Sequence, residues 1–210
     1  MHDDSTLPEL SDETLVRASA RGEDDDLTLL TRGLSADRTR TRILALRGLC
    51  RCATVTEDQW RAALADDDVD VRREALTQLS QYEPSTSLMD EVVTLLENED
   101  ALVVDAAAFA LGEFLYEPAV SVLCRVAATH DDARCREAAI AALGAIGHDD
   151  ARDVIIGALK DKPPVRRRAI VALANFEGPD IEQALALASE DKDWQVRAAV
   201  SQLGVVSDAN

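Results

Sequence analysis

Two histidines, His130 and His148, each stand directly before a pair of aspartates, and the second closes the stretch DDARCREAAIAALGAIGHDD, residues 131–150. Imidazole and carboxylate are the usual ligands of zinc and non-haem iron, so His130, His148 and the neighbouring Asp residues are the best candidate metal set in the chain. The thiols Cys50, Cys52, Cys124 and Cys135 are the other chemical candidates. Cys50 and Cys52 lack the Cys-x-x-Cys spacing of a zinc ribbon, and two residues apart on a helix their side chains diverge by about 160°. No phosphate-binding glycine loop, nucleophile elbow or Ser/His/Asp set is visible.

The elements that must carry these residues recur. TRILALRGLCRC (41–52), VRREALTQLSQY (71–82), VVDAAAFALGEF (103–114), CREAAIAALGAI (135–146) and VRRRAIVALANF (165–176) align without gaps, and VRAAVSQLGVV (196–206) aligns with one residue missing. The starting points lie 30, 32, 32, 30 and 31 residues apart, the period of stacked supersecondary units. Apolar residues at the first, the fifth or sixth, the ninth and the twelfth positions predict one amphipathic helix per unit, helix B. Asp68, Asp100, Asp132 and Asp193 stand where a carboxylate caps the first turn of such a helix. A second apolar segment precedes each B helix and predicts helix A, and Pro84, Pro118 and Pro179 fall in the B-to-A connections. One A/B hairpin cannot hide both apolar stripes, whereas stacked copies bury them against each other.

This register assigns bland roles to most of the chemical candidates. Cys135 takes the first apolar position, filled elsewhere by Val71, Val103 and Val165. Cys50 takes the small position of Gly112 and Gly144, and Cys52 the large apolar position of Tyr82, Phe114, Ile146 and Phe176. Cysteine here substitutes for a small hydrophobe. Both histidines fall in inter-helix connections, where a solvated polar role outweighs ligation.

The motif Asp, Val-Arg, an alanine-rich turn and Leu-Gly-x-Ile, as in DDARCREAAIAALGAIG, resembles the HEAT-like repeats of the phycobilin-lyase type. The resemblance covers roughly residues 23–206 and implies an all-α fold, an α-solenoid (superhelix) of about six two-helix repeats. It also implies that the arginine after the first apolar position, at Arg42, Arg72, Arg136, Arg166 and Arg197 with Val104 the exception, forms an Asp–Arg ladder between repeats. Within that family the resemblance implies a non-catalytic adaptor, with taxis signalling to the archaeal swimming motor as the pointed version. The alternatives are a pigment-lyase-like or metal-dependent, hydroxylase-like enzyme and a nucleic-acid-binding HEAT protein. The His-Glu pairs that hold iron in deoxyhypusine hydroxylase are absent from this sequence.

Composition agrees with helices, because 47% of residues are apolar but only 3% aromatic, so Ala, Leu and Val must fill closely packed interfaces. A net charge of −18 repels nucleic acid and anionic membranes. Lys160, Lys162 and Lys192 are the only lysines beside 19 arginines. Abundant Asp with scarce Lys is similar to proteins of halophilic archaea, where screening reduces the repulsion among surface carboxylates. No run approaches the roughly 20 apolar residues of a membrane span and no secretion signal opens the chain, which predicts a cytoplasmic protein with reduced cysteines. The expected organisation is an N-terminal segment with a short capping helix (1–22), the solenoid (23–206) and a tail (207–210), acting as a monomer without cofactor, catalytic residue or bound metal.

In HEAT solenoids the B helices line the concave side, and the third, seventh and eleventh positions of each B helix share its remaining face. Reading that stripe, the candidate partner-binding residues are Arg47, Arg51, Arg73, Phe109, Glu113, Ala141, Arg167 and Val171. Phe109, a large apolar residue where the pattern calls for solvent, suggests a docking strip for another protein. Thirteen of the 19 arginines lie in B helices or the loops leading into them, so this surface is expected to be locally neutral or basic on a strongly acidic chain.

Overall fold

The computed structural model describes residues 10–82 and 84–204. Among these residues there are thirteen α-helices and no strand. The capping helix α1 spans Asp12–Arg21. Helices A and B of the successive repeats are α2 (Asp24–Gly33) and α3 (Thr39–Arg51), α4 (Glu57–Leu64) and α5 (Val69–Leu79), α6 (Thr86–Thr94) and α7 (Ala101–Glu113), α8 (Val120–Thr129) and α9 (Ala133–Ile146), α10 (Arg152–Gly157) and α11 (Pro163–Leu173), and α12 (Pro179–Ala188) and α13 (Trp194–Gln202). The fold is the α-solenoid of six helical hairpins that the thirty-residue period predicts. The first nine residues and the expected tail at 207–210 lie outside the described residues.

The chain forms two compact units, Met1–Leu88 and Met89–Asn210. In the first, α1 packs on both α2 and α3, and Leu15, Ala18, Leu29, Leu30 and Leu49 form its core. In the second, α9 packs against α7, α8 and α11. From α3 to α11 the B helices bury the predicted first, fifth, sixth and ninth positions in both units, while the twelfth is only half-buried at Cys52, Tyr82, Phe114 and Ile146 and buried at Phe176. Ala45, Leu46, Ala75, Leu76, Leu79, Ala107, Ala108, Leu111, Ala139, Ile140, Leu143, Ala169, Ile170 and Leu173 have no accessible surface. Four of the six B helices begin where an aspartate accepts a first-turn N–H, as Asp68 does from Asp70, Asp100 from Leu102, Asp132 from Arg134 and Asp193 from Gln195, while α3 and α11 start at Arg38 and Lys162 without a side-chain cap.

The small position has a geometric cause. A Cβ on Gly144 would lie 2.7 Å from the Cα and 2.5 Å from the Cβ of Ala172, and one on Gly112 would lie 2.9 Å from the Cα of Ala142. Successive B helices of the second unit therefore touch backbone to backbone, which only a missing side chain permits.

The Asp–Arg ladder is present within both units. Arg42 grips Asp66 through two bonds of 2.8 and 2.9 Å, Arg136 grips Asp161 at 2.6 and 2.7 Å, and Arg166 grips Asp191 at 2.9 and 2.8 Å. The remaining Nη1 of each arginine donates to a carbonyl of the loop leading into its own helix: Ala36 and Asp37 for Arg42, His130 and Asp131 for Arg136, and Asp161 for Arg166. A planar guanidinium with five donors can tie two loops at once, which a lysine cannot. Arg72 donates to the carbonyls of Asp66 and Asp67 in the same way, and its buried Nε has no partner among the described residues.

Candidate functional site

His130 and His148 are turn caps. The Nδ1 of His130 accepts the backbone N–H of Asp132 at 3.1 Å, and the Nδ1 of His148 accepts that of Asp150 at 3.2 Å. In the equivalent loops, Asp66 accepts from Asp68, Asn98 from Asp100 and Asp191 from Asp193. His130 therefore occupies the place of the ladder aspartate, five residues before the first apolar position. The preceding B helix carries Val104, fully buried, where its neighbours carry arginine. With no guanidinium offered, a carboxylate there would be a half-buried charge without its partner, and an imidazole whose Nδ1 accepts the same N–H keeps the turn bond without that cost. The described residues hold no group of three or more His, Cys, Asp or Glu placed to bind a metal ion.

This reading predicts that His130→Asn keeps wild-type thermal stability, since Asn98 performs the same task, while His130→Ala loses about 1 kcal/mol with the turn bond. Thermal melts with parallel metal analysis check it. A stoichiometric ion that disappears in both variants would contradict it.

Cys50 and Cys135 belong to the buried core. Burial pushes the thiols of Cys50 and Cys135 up to about 11, so neither is a thiolate at neutral pH. Cys135 donates to the carbonyl of Ala101 at 3.2 Å, and Tyr82 donates to the carbonyl of Cys50.

The predicted stripe faces solvent. Among its partner-binding candidates, Arg47, Arg51, Phe109, Glu113 and Val171 are exposed, and Arg73, Ala141 and Arg167 are half-buried. In the first unit its charges are engaged: Arg47 holds Glu74 through two bonds, Arg51 donates to Ser19, and Arg73 pairs with Asp70. Burial raises the carboxyl of Glu74, but the bonds from Arg47 and Gln78 outweigh it and leave the group below its ordinary value. In the second unit the stripe opens into two hollows. One, of about 340 Å³, lies over Ala138 and Ala141 beside Leu102 and Phe109. The other, of about 400 Å³, lies over Ala198 and Ala199 beside Val171, Trp194 and Arg167. Glu137 and Arg168 belong to the rims of both.

Among the described residues seven large apolar side chains are exposed, and four of them, Leu102 (37%), Phe109 (54%), Val171 (52%) and Trp194 (66%), line these two hollows. The stripe as read from sequence omits Leu102 and Trp194. Trp194 lies four residues before Ala198, the third position of the last B helix, so carrying the four-residue spacing one turn toward the N-terminus finds it. Leu102 has a weaker signal, standing three residues before Asp105.

Stacked helical hairpins tied by bidentate Arg–Asp rungs define a solenoid repeat protein. Residues 57–144 and 126–204 match the model for HEAT repeats, and the chain belongs to that family. No curated protein matches the chain. Among solved structures it is similar to YibA of E. coli, with a TM-score of 0.64 at 20% identity over 90% of this chain and 71% of that one. It is also similar to the structure of the complex of CpcE and CpcF of phycocyanin lyase from Nostoc (TM-score 0.62, 22% identity, 94% of this chain and 77% of that one). A designed armadillo repeat protein in complex with the peptide (KR)4 gives 0.56 at 13% identity, over 95% of this chain and 100% of that one. At these identities the likeness is one of fold.

Proposed function

We infer that the chain is a non-catalytic adaptor that holds another protein on its B-helix face. The carrying observation is the concentration of exposed Leu102, Phe109, Val171 and Trp194 in two adjoining hollows of one face, since contiguous apolar surface rimmed by charge marks a docking site. Support comes also from the relatives in fold, one of them solved in complex with a peptide. The phycocyanin-lyase likeness keeps the pigment-lyase alternative in view, but the residues with chemical potential here serve as caps and core. The nucleic-acid reading is opposed by the net charge of −18 and by the pairing of Arg47, Arg73 and Arg134 with carboxylates, which leave on this face only a local basic spot at Arg167 and Arg168 rather than a stripe for a phosphate backbone. No helix among the described residues is long and apolar enough to cross a membrane. The acidic, lysine-poor composition supports a cytoplasmic, salt-rich setting, and a place in archaeal taxis signalling rests on that composition together with the resemblance to HEAT-like adaptors.

Phe109→Asp combined with Val171→Asp, compared with Leu187→Asp on helix A of the last repeat, tests the face. Leu187 is 69% exposed, so all three substitutions are at the surface. Affinity capture from native lysate is expected to lose its specific proteins with the B-face pair and to keep them with Leu187→Asp. Equal recovery by both baits would refute the reading.

A further inference from the structure

The two hollows differ in what their charges are free to do. In the hollow over Ala141, Arg134 is committed to Asp132 through bonds from Nε and Nη2, and this contact pulls the Asp132 carboxyl down to about 2. That hollow offers an apolar seat, with Phe109 and Leu102 at its edge and alanines on its floor. In the hollow beside Trp194, Arg167 donates to the neutral Oε1 of Gln195 at 2.5 Å, and Arg168 stands 3.6 Å from Glu137, beyond hydrogen-bond length. Two guanidiniums there share one carboxylate, on a chain whose net charge is −18. The acidic chain thus presents a local surplus of positive charge directly beside exposed Val171 and Trp194.

We propose that this face receives an acidic, apolar-anchored segment of the partner protein, its aromatic or aliphatic side chain over Ala138 and Ala141 beside Phe109, and its carboxylate on Arg167 and Arg168 beside Trp194. The proposal rests on the B-helix face being the binding face. A bidentate carboxylate–guanidinium contact at a site flanked by an indole is favourable because the neighbouring apolar groups exclude water from it. The geometry limits the segment further. Packed helices lie about 8–10 Å apart, so a segment anchored on both α9 and α11 needs its two side chains about 10 Å from each other. Positions i and i+3 of a polyproline-type chain, or i and i+7 of a helix, supply that spacing on one side.

The protein carries its own reporter for the test. Trp60 is buried and packs edge-on against Tyr82, 5.5 Å between ring centroids, whereas Trp194 is 66% exposed and lies in the hollow. The full chain is titrated with a synthetic peptide about 16 residues long, about 24 Å if helical, bearing one Phe with Glu both three and seven residues on. Two counterparts carry Lys for the Glu residues or Ser for the Phe. Labelled-peptide anisotropy and tryptophan emission are read at low salt.

The acidic peptide is expected to bind and to shift the Trp194 emission to the blue, with both counterparts roughly tenfold weaker. Arg167→Glu and Phe109→Asp are each expected to weaken it at least about fivefold, with unchanged thermal melts. Tighter binding of the Lys peptide, unchanged affinity in Arg167→Glu, or no binding of any peptide up to about 1 mM overturns the acidic-segment assignment. None of those results touches the B-face reading, which stands or falls on the capture comparison of Phe109→Asp/Val171→Asp with Leu187→Asp.

Discussion

Gly144→Val is expected to cost more than about 3 kcal/mol, and Gly144→Ala about 1–3 kcal/mol. A methyl group at this position would sit 2.7 Å from the Cα and 2.5 Å from the Cβ of Ala172. The obstacle is backbone, which cannot rotate aside, so α9 and α11 must move apart and loosen the apolar layer that Leu143, Ile140 and Leu173 share. The branched valine adds two methyls to the same gap. Ala172→Gly removes the Cβ but leaves the Cα, so it is expected to rescue Gly144→Ala in part. The contrasting site is Gly157, the last residue of α10, at φ −57° with nothing within 4 Å of an added Cβ. Gly157→Ala is expected to stabilise by about 0.5–1 kcal/mol through the entropy of the unfolded chain. Chemical denaturation of the four variants checks the set, and a neutral Gly144→Ala would show that the B helices do not meet at the backbone.

The same glycine shows how much of the fold could be read from the sequence. Gly112 and Gly144 recur at one register position, so the need for a small residue is visible as a pattern, and Cys50 at that position is understood at once as a small apolar side chain. The capping aspartates and the buried first, fifth, sixth and ninth positions were equally legible, because each depends on spacing within one helix. What the spacing does not carry is pairing between repeats. Arg42, Arg136 and Arg166 share a register with Arg72, yet whether each meets a carboxylate depends on a residue about 25 positions away in the next loop. His130 stood out as a ligand for the same reason: its explanation lies in Val104, on a different helix, and a histidine read beside its own Asp pair resembles a metal site. The exposed B-helix face was half legible. The four-residue stripe contains Phe109, Ala141, Arg167 and Val171, while Trp194 lies one turn before its position at Ala198. Which arginine has its charge left uncompensated is decided by side-chain partners, as the contrast between Arg134 on Asp132 and Arg167 on Gln195 shows.

Arg166→Ala is expected to destabilise the second unit by on the order of 3 kcal/mol. Its guanidinium is only 8% exposed, and Asp191, 16% exposed, would keep a charge with no partner. The bond from Nη1 to the carbonyl of Asp161 would be lost as well, so two loops come untied together. For a protein of this length the midpoint falls about 2–4 °C per kcal/mol. The pH dependence follows from the same rungs. Hydrogen bonds from Arg166 and Arg136 hold the carboxyls of Asp191 and Asp161 below the ordinary aspartate value. Their contribution is complete above the unfolded value of about 3.9 and disappears as pH falls through the lower folded values. Wild type is therefore expected to lose stability steeply below about pH 4, and Arg166→Ala to show a shallower slope in that range because its Asp191 is no longer held down. The decisive variant is Arg166→Val with Asp191→His, which copies the Val104 and His130 combination already present at another rung. A valine buries without charge, and a neutral imidazole still accepts the N–H that Asp191 now takes from Asp193. Recovery of most of the lost stability above about pH 7, where the new imidazole is neutral, a fresh loss as it protonates around pH 6, and a slope below about pH 4 that is still shallow are the expected results of urea denaturation. A double variant no more stable than Arg166→Ala would mean that the Arg–Asp bond itself, and not the avoidance of an orphaned charge, holds these loops together.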